Sequence, residues 1–126
     1  MANWTPDGFS GESFRVTARY VPPPAGLKPA TRWGTEAGLR ELFGDGVASL
    51  RVTQRSLVFR FRSAQHRNAF FRTHFGPTIK TFAALDAARQ RELERDLEEL
   101  AQRFNRSGDD TLVVPSDYLE VVAVRR

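Results

Sequence analysis

At 126 residues, 40% hydrophobic and 27% charged, the chain has the length of one domain and the composition of a folded globular protein, which excludes disorder along its whole length. It contains no cysteine, which excludes a disulfide framework and thiolate metal sites, and two histidines alone argue against a tightly held transition metal. The net charge of +4 comes from 17 arginines and two lysines interleaved with 15 acids, so no basic stripe forms and a nucleic-acid partner is disfavoured.

Met1–Asp7 has no basic stretch followed by an apolar one, as a secretory signal requires. The longest apolar runs, near Leu112–Val114 and Val121–Val124, fall far short of the ~18 residues of a membrane span. A cytoplasmic location with no membrane partner is the expectation. The opening Asn3–Gly8 reads as a turn, punctuated by Pro6 and Gly8. Gly11–Tyr20 reads as a short helix with Phe14, Val16 and Tyr20 as its apolar contacts. Pro22-Pro23-Pro24 forces an extended segment, and the chain to Trp33, with Gly26 and Pro29, reads as loop.

Thr35 is a candidate N-cap for a helix through Phe43, with Gly44 just beyond its end. Val47–Arg62 alternates as a strand. Leu50 and Val52 fall in one phase and Leu57, Phe59 and Phe61 in the other, which predicts a register shift near Gln54–Ser56. Ser63 caps a predicted helix to about Phe75, and Gly76-Pro77 ends it and opens another toward Leu85. Asp86 caps the clearest helix, Ala87 to about Asn105, with Leu93, Leu97, Leu100 and Phe104 as one stripe and Glu99–Arg103 as an i,i+4 pair. Leu112–Pro115 reads as a short extended piece. Tyr118–Val124 reads as a separate final strand, and its nearly continuous apolar run predicts cover on both faces. The strand is expected to pair antiparallel within Val47–Arg62.

The glycines at 8, 11, 44 and 46 read as turn residues, since no cluster follows a predicted strand and opens a helix as a phosphate loop does. His66 and His74, eight apart on one predicted helix, would not share a metal. They read as exposed polar residues or as polar groups beside a substrate. Trp4 and Trp33 sit in loops, where a tryptophan either lines a ligand site or plugs a core edge. Phe70, Phe71, Phe75 and Phe82, interleaved with Arg67, Arg72, His74 and Lys80, read as core or lid at helical spacing. From these features alone the chain is an α/β domain without a defined reaction.

Taken in order, Asn3-Trp4-Thr5-Pro6-Asp7-Gly8-Phe9, Val21-Pro22-Pro23-Pro24, Trp33-Gly34-Thr35-Glu36, Phe70-Phe71-Arg72-Thr73-His74-Phe75-Gly76-Pro77 and Asp117-Tyr118-Leu119-Glu120-Val121-Val122 resemble the C-terminal half of class I S-adenosylmethionine-dependent methyltransferases. The nearest group is the bacterial branch related to the ubiquinone and menaquinone methyltransferases. The resemblance implies a Rossmann-like α/β fold whose last strand is inserted antiparallel, with a helical cap over Ser63–Asn105 and the chain opening at the end of the fifth strand. Residues 1–126 would form one partial domain on the substrate side.

The family's glycine-rich cofactor turn and ribose-binding acid belong to its other half and have no match here. The resemblance therefore implies S-adenosylmethionine as cofactor while leaving the cofactor-binding residues of this chain at none. It implies a truncated or split enzyme, inactive alone, with a small-molecule acceptor and either a cofactor-binding partner half or self-association. A non-catalytic binding domain and a basic nucleic-acid module are the other classes. Ligands of open α/β sheets bind beyond the carboxyl ends of strands. The expected substrate-side residues are Trp4, Thr5, Trp33, His66, His74 and Phe75, with no catalytic residue assigned.

Overall fold

The computed structural model describes all 126 residues as a mixed α/β domain of five α-helices and one three-stranded antiparallel sheet. The strands are β1 (Ala2–Trp4), β2 (Val47–Phe61) and β3 (Leu112–Arg125), in the order β1-β3-β2. The helices are α1 (Phe9–Tyr20), α2 (Glu36–Phe43), α3 (Ala64–His74), α4 (Gly76–Ala83) and α5 (Ala87–Phe104). No helix is long and apolar enough to cross a membrane.

Three helices begin where a side chain satisfies a free backbone donor. Thr35 Oγ1 accepts from Gly38 N at 3.0 Å, Ser63 Oγ from His66 N at 3.0 Å, and Asp86 Oδ1 from Arg89 N at 2.8 Å. Pro77 sits in the first turn of α4, where its missing N–H costs nothing. The predicted Glu99–Arg103 pair does not close; on α5 the ion pair within hydrogen-bond distance is Arg89–Glu92 at 2.9 Å.

The sheet corrects four sequence expectations. Asn3 and Trp4 belong to a strand rather than a turn, because Ala2–Trp4 pairs with Tyr118–Glu120 more than 110 residues away. Leu112–Pro115 and Tyr118–Val124 are one strand rather than two, paired along its length with β2. Pro115 is tolerated within it because β1 does not reach that far, so the strand is an edge there. Pairing through Gln54–Ser56 is regular, and the single irregularity lies at Val47–Ser49. The change of phase has another cause. Leu50 and Val52 pack with Leu39, Leu119 and Val121, whereas Phe59 and Phe61 pack with Leu112, Val114 and the helices α1, α3 and α5. Residues of opposite parity point to opposite faces. The two halves of one long hairpin are thus covered on different faces, which inverts the pattern without a bulge.

The same arrangement corrects the reading of the last strand as covered on both faces. Leu119 and Val121 are buried, but Val122 and Val124 are 44% and 51% exposed. The main core lies on the helical face. There Leu93, Leu97 and Leu100 of α5 are buried as the stripe predicts, with Phe104 packed against them. Tyr20 donates to Asp96 Oδ2 at 2.6 Å and clamps α1 to α5. Gly11 is buried inside α1 and is not a turn glycine. A Cβ there would lie 2.2 Å from the Thr5 carbonyl oxygen, and one at Gly34 only 1.8 Å from that of Trp4. These two glycines let α1 and the turn before α2 close on the end of β1.

The loop between α5 and β3 is organised by Asp109. Its Oδ1 accepts from Thr111 N at 2.8 Å, from Thr111 Oγ1 at 2.5 Å and from Ser107 Oγ. These bonds hold its pKa down to about 2, against an ordinary 3.8. A carboxylate depressed in the folded state stabilises above its unfolded pKa, and that contribution disappears as pH falls through the folded value. Urea midpoints are therefore expected to fall between pH 3.8 and about 2 more steeply in the wild type than in Asp109→Asn. Equal slopes would show that this loop carries no linked stability.

Candidate functional site

Beyond the carboxyl end of β1 lies a cavity of about 250 Å³. Trp4 closes β1 and forms one wall, with Phe59 of β2 at 5.9 Å between ring centroids. Helix α1 contributes Phe14 and the hydroxyls of Ser10, Ser13 and Thr17, and α3 contributes Arg67 and Phe71. Phe75, with Pro77, Thr78 and Thr81 of α4, forms the opposite rim. The walls are aromatic with a few hydroxyls, the usual make-up of a small-molecule site.

Within these walls Arg67 is the exception. Its residue exposure is 5%, and it forms no ion pair. No Asp or Glu lines the cavity. Nη1 donates to Asn68 Oδ1 at 3.1 Å, whereas Nε is buried without any partner. The guanidinium carbon lies 4.3 Å from the Phe71 ring centroid and 4.9 Å from that of Phe9, within cation–π range of both. Burial alone pushes its pKa down to about 10, so it remains cationic at neutral pH. Arg72, on the same helix, shows the contrast: it also lies over an aromatic ring, Phe82 at 4.2 Å, but pairs with Glu94.

Of the six residues expected on the substrate side, Trp4 and Phe75 line this cavity. Thr5 lies next to it in a separate polar groove with Gln54 and Asp117. There its N–H donates to the Asp117 carbonyl at 3.1 Å and its hydroxyl accepts from Gly8 N at 3.1 Å. Trp33 packs edge-on to Phe43 and does not line the cavity. His66 accepts from Arg62 N at 3.2 Å through Nδ1, and His74 stacks on Phe70 at 4.5 Å; neither reaches the cavity. Sequence reasoning missed Arg67 and the α1 hydroxyls. One signal was available for the former. Ala64, Arg67, Asn68 and Phe71 share one helical face at spacings of three and four, so Arg67 and Asn68 fall on the stripe that the apolar residues assign to the interior.

The residues present do not fit S-adenosylmethionine. Two turns join a strand directly to a helix's N-terminus, Thr5–Gly8 between β1 and α1 and Arg62–Ser63 between β2 and α3, and the second holds no glycine. Gly8 in the first turn and Gly11 in the helix after it make room for the chain itself: a Cβ at Gly8 would lie 2.7 Å from Thr5 Oγ1, and one at Gly11 2.5 Å from the Pro6 carbonyl oxygen. Gly8 N is already bonded to Thr5. No free backbone cradle is left there for a cofactor.

No family model matches the chain. An uncharacterized protein of Mycobacterium tuberculosis, Rv1405c, is 36% identical over 130 residues, covering all of this chain and 46% of that protein. Mb1440c of Mycobacterium bovis, also uncharacterized, gives the same figures. A second uncharacterized M. tuberculosis protein, Rv1403c, is 34% identical over 85 residues, 66% of this chain and 31% of that protein. The chain thus spans about half the length of the curated relatives it matches, or less.

Proposed function

We propose that these 126 residues form the substrate-side half of a class I methyltransferase fold and hold a small-molecule acceptor. The observation that carries this reading is the sheet. The last strand, β3, lies between the first and second and runs antiparallel to both, the placement that an inserted terminal strand has in that fold. The cavity at the carboxyl end of β1 supports it, since an open α/β sheet places ligands there.

The acceptor is held between the Trp4, Phe59 and Phe71 rings, with the α1 and α4 hydroxyls and Arg67 fixing its orientation. Water is kept out by the aromatic walls. Positioning supplies much of the rate in transfer between two bound groups. The residues here supply it on the acceptor side alone, and a cofactor half outside these 126 residues supplies the rest. The free edge of the three-residue β1 could take such a half as a further strand, and the exposed Val122 and Val124 could be covered by it. A stand-alone binding domain is the second reading, favoured by the lack of any cofactor cradle at Thr5–Gly8.

Replacing the matching segment of Rv1405c by this chain tests the first reading. The chimera is expected to hold S-adenosylhomocysteine with a dissociation constant of about 1 μM to 100 μM by calorimetry, whereas the 126 residues alone bind it far more weakly. A folded chimera without binding would overturn the methyltransferase reading and leave the binding domain.

A further inference from the structure

We propose that the cavity beside β1 binds a small organic carboxylate, an arylalkanoic acid in shape, with the Arg67 guanidinium as its anion anchor. This names the acceptor class for the site proposed above and rests on that site's being a ligand site, but not on the identity of the cofactor.

Four observations lead there. Arg67 is an intact cation carried into an aromatic cavity with no acid to neutralise it. Isolated buried charge is costly, and chains ordinarily pair it or leave it in water. Arg72, five residues along the same helix, is paired. The two rings at 4.3 and 4.9 Å hold the guanidinium plane but satisfy none of its N–H groups. Asn68 engages Nη1 and Nε is buried without a partner, so Nη2 is the donor that is neither bonded nor buried. A carboxylate oxygen on Nη2 makes a short, strong, charge-assisted pair, and a side-chain shift that uncovers Nε makes that pair bidentate.

The rest of the cavity sets the body of the ligand. Trp4, Phe14, Phe59 and Phe75 surround a volume of about 250 Å³, suited to one aromatic ring on a short chain. Face and edge contacts with those rings favour an aryl group over a branched alkyl one. The Thr78 hydroxyl can meet a polar substituent, and those of Ser10 and Thr17, already bonded to Ser116 and the Phe14 carbonyl, can accept from one. Phosphate esters are the competing anion class. They carry more charge and more oxygens than one guanidinium fork satisfies, and the cavity offers neither a second cation nor a free backbone cradle.

The test compares 3-phenylpropanoate with 3-phenylpropanamide on the full 126-residue chain at pH 7, by calorimetry and by Trp4 fluorescence in a Trp33→Phe background. Trp33 lies outside the cavity, so the remaining signal reports the site. The acid is expected to bind at least about tenfold more tightly than the amide, since a charge-assisted pair replaces a neutral one. Arg67→Met is expected to bring the two within about threefold, and Arg67→Lys to keep part of the preference. Phenyl phosphate is expected to bind no better than the acid.

Equal affinity of acid and amide for the wild type would overturn the anion anchor while keeping the cavity as a ligand site. Tighter binding of phenyl phosphate would overturn the carboxylate class. Absence of binding by both acid and amide up to millimolar concentration would overturn the site itself. The wild-type comparison decides the matter even if Arg67→Met does not fold. No cofactor enters the experiment, so its outcome is separate from that of the chimera.

Discussion

Arg67→Met is expected to leave the fold intact and to raise its stability by about 1 kcal/mol at pH 7, although it removes a residue from the middle of the core. Burial lowers the pKa of this guanidinium from its ordinary value to about 10, a burden of about 3 kcal/mol at neutral pH. Against it stand the two aromatic contacts and the Asn68 bond, together worth about 2 kcal/mol. Methionine fills much of the same volume and carries no charge into the interior. Because the folded pKa of this base is depressed, the burden is fully present below about pH 10 and is relieved as the guanidinium deprotonates above it. Urea midpoints of wild type and variant are thus expected to stay apart up to about pH 10 and to converge only above it. A loss of about 3 kcal/mol on substitution would instead mark Arg67 as a structural strut whose removal strands its neighbours. Stability gained by deleting a buried charge, together with loss of carboxylate preference, is the signature of a residue kept for binding.

Much of this architecture is legible along the chain because it is set locally. Thr35, Ser63 and Asp86 cap helices at the positions their chemistry requires, and the leucines of α5 fall on one buried stripe. What escapes a local reading depends on distant partners. Ala2–Trp4 is a strand only because Tyr118–Glu120 lies alongside it, and Pro6 and Gly8 make the same stretch look like a turn. The phase change in β2 looks like a bulge, since one strand's pattern does not reveal which face each half covers. That information resides in α2, which packs on Leu119 and Val121, and in α1, α3 and α5, which pack on Leu112 and Val114.

The candidate site follows the same division. Trp4 and Phe75 are conspicuous as large rings beside breakers. Arg67 is masked, because a charged residue within an arginine-rich helix reads as solvated. Its burial emerges only when α5 packs on α3 and the Phe9 ring of α1 closes over the guanidinium.

Phe9→Ala is expected to cost about 3–5 kcal/mol, the largest single loss considered, because the ring is fully buried at the meeting point of core and cavity wall. Phe9 contacts Phe104 at 5.6 Å and Phe59 at 6.4 Å, so its removal opens the space between α1, α5 and the sheet. A domain of this size has only about 5–15 kcal/mol in total, and thermal melts should show the variant near the limit of folding. Phe9→Leu separates packing from the ring's other contribution. Leucine keeps most of the apolar contact at a cost of about 1 kcal/mol but offers no π-face to the guanidinium 4.9 Å away. Combined with Arg67→Met in a double-mutant cycle, it is expected to show a coupling of about 0.5–1.5 kcal/mol. Coupling of that size means that the ring helps hold an unpaired cation in place before any ligand arrives. A coupling near zero would mean that Phe9 serves the core alone and that Phe71, at 4.3 Å on the same helix as Arg67, holds the guanidinium by itself.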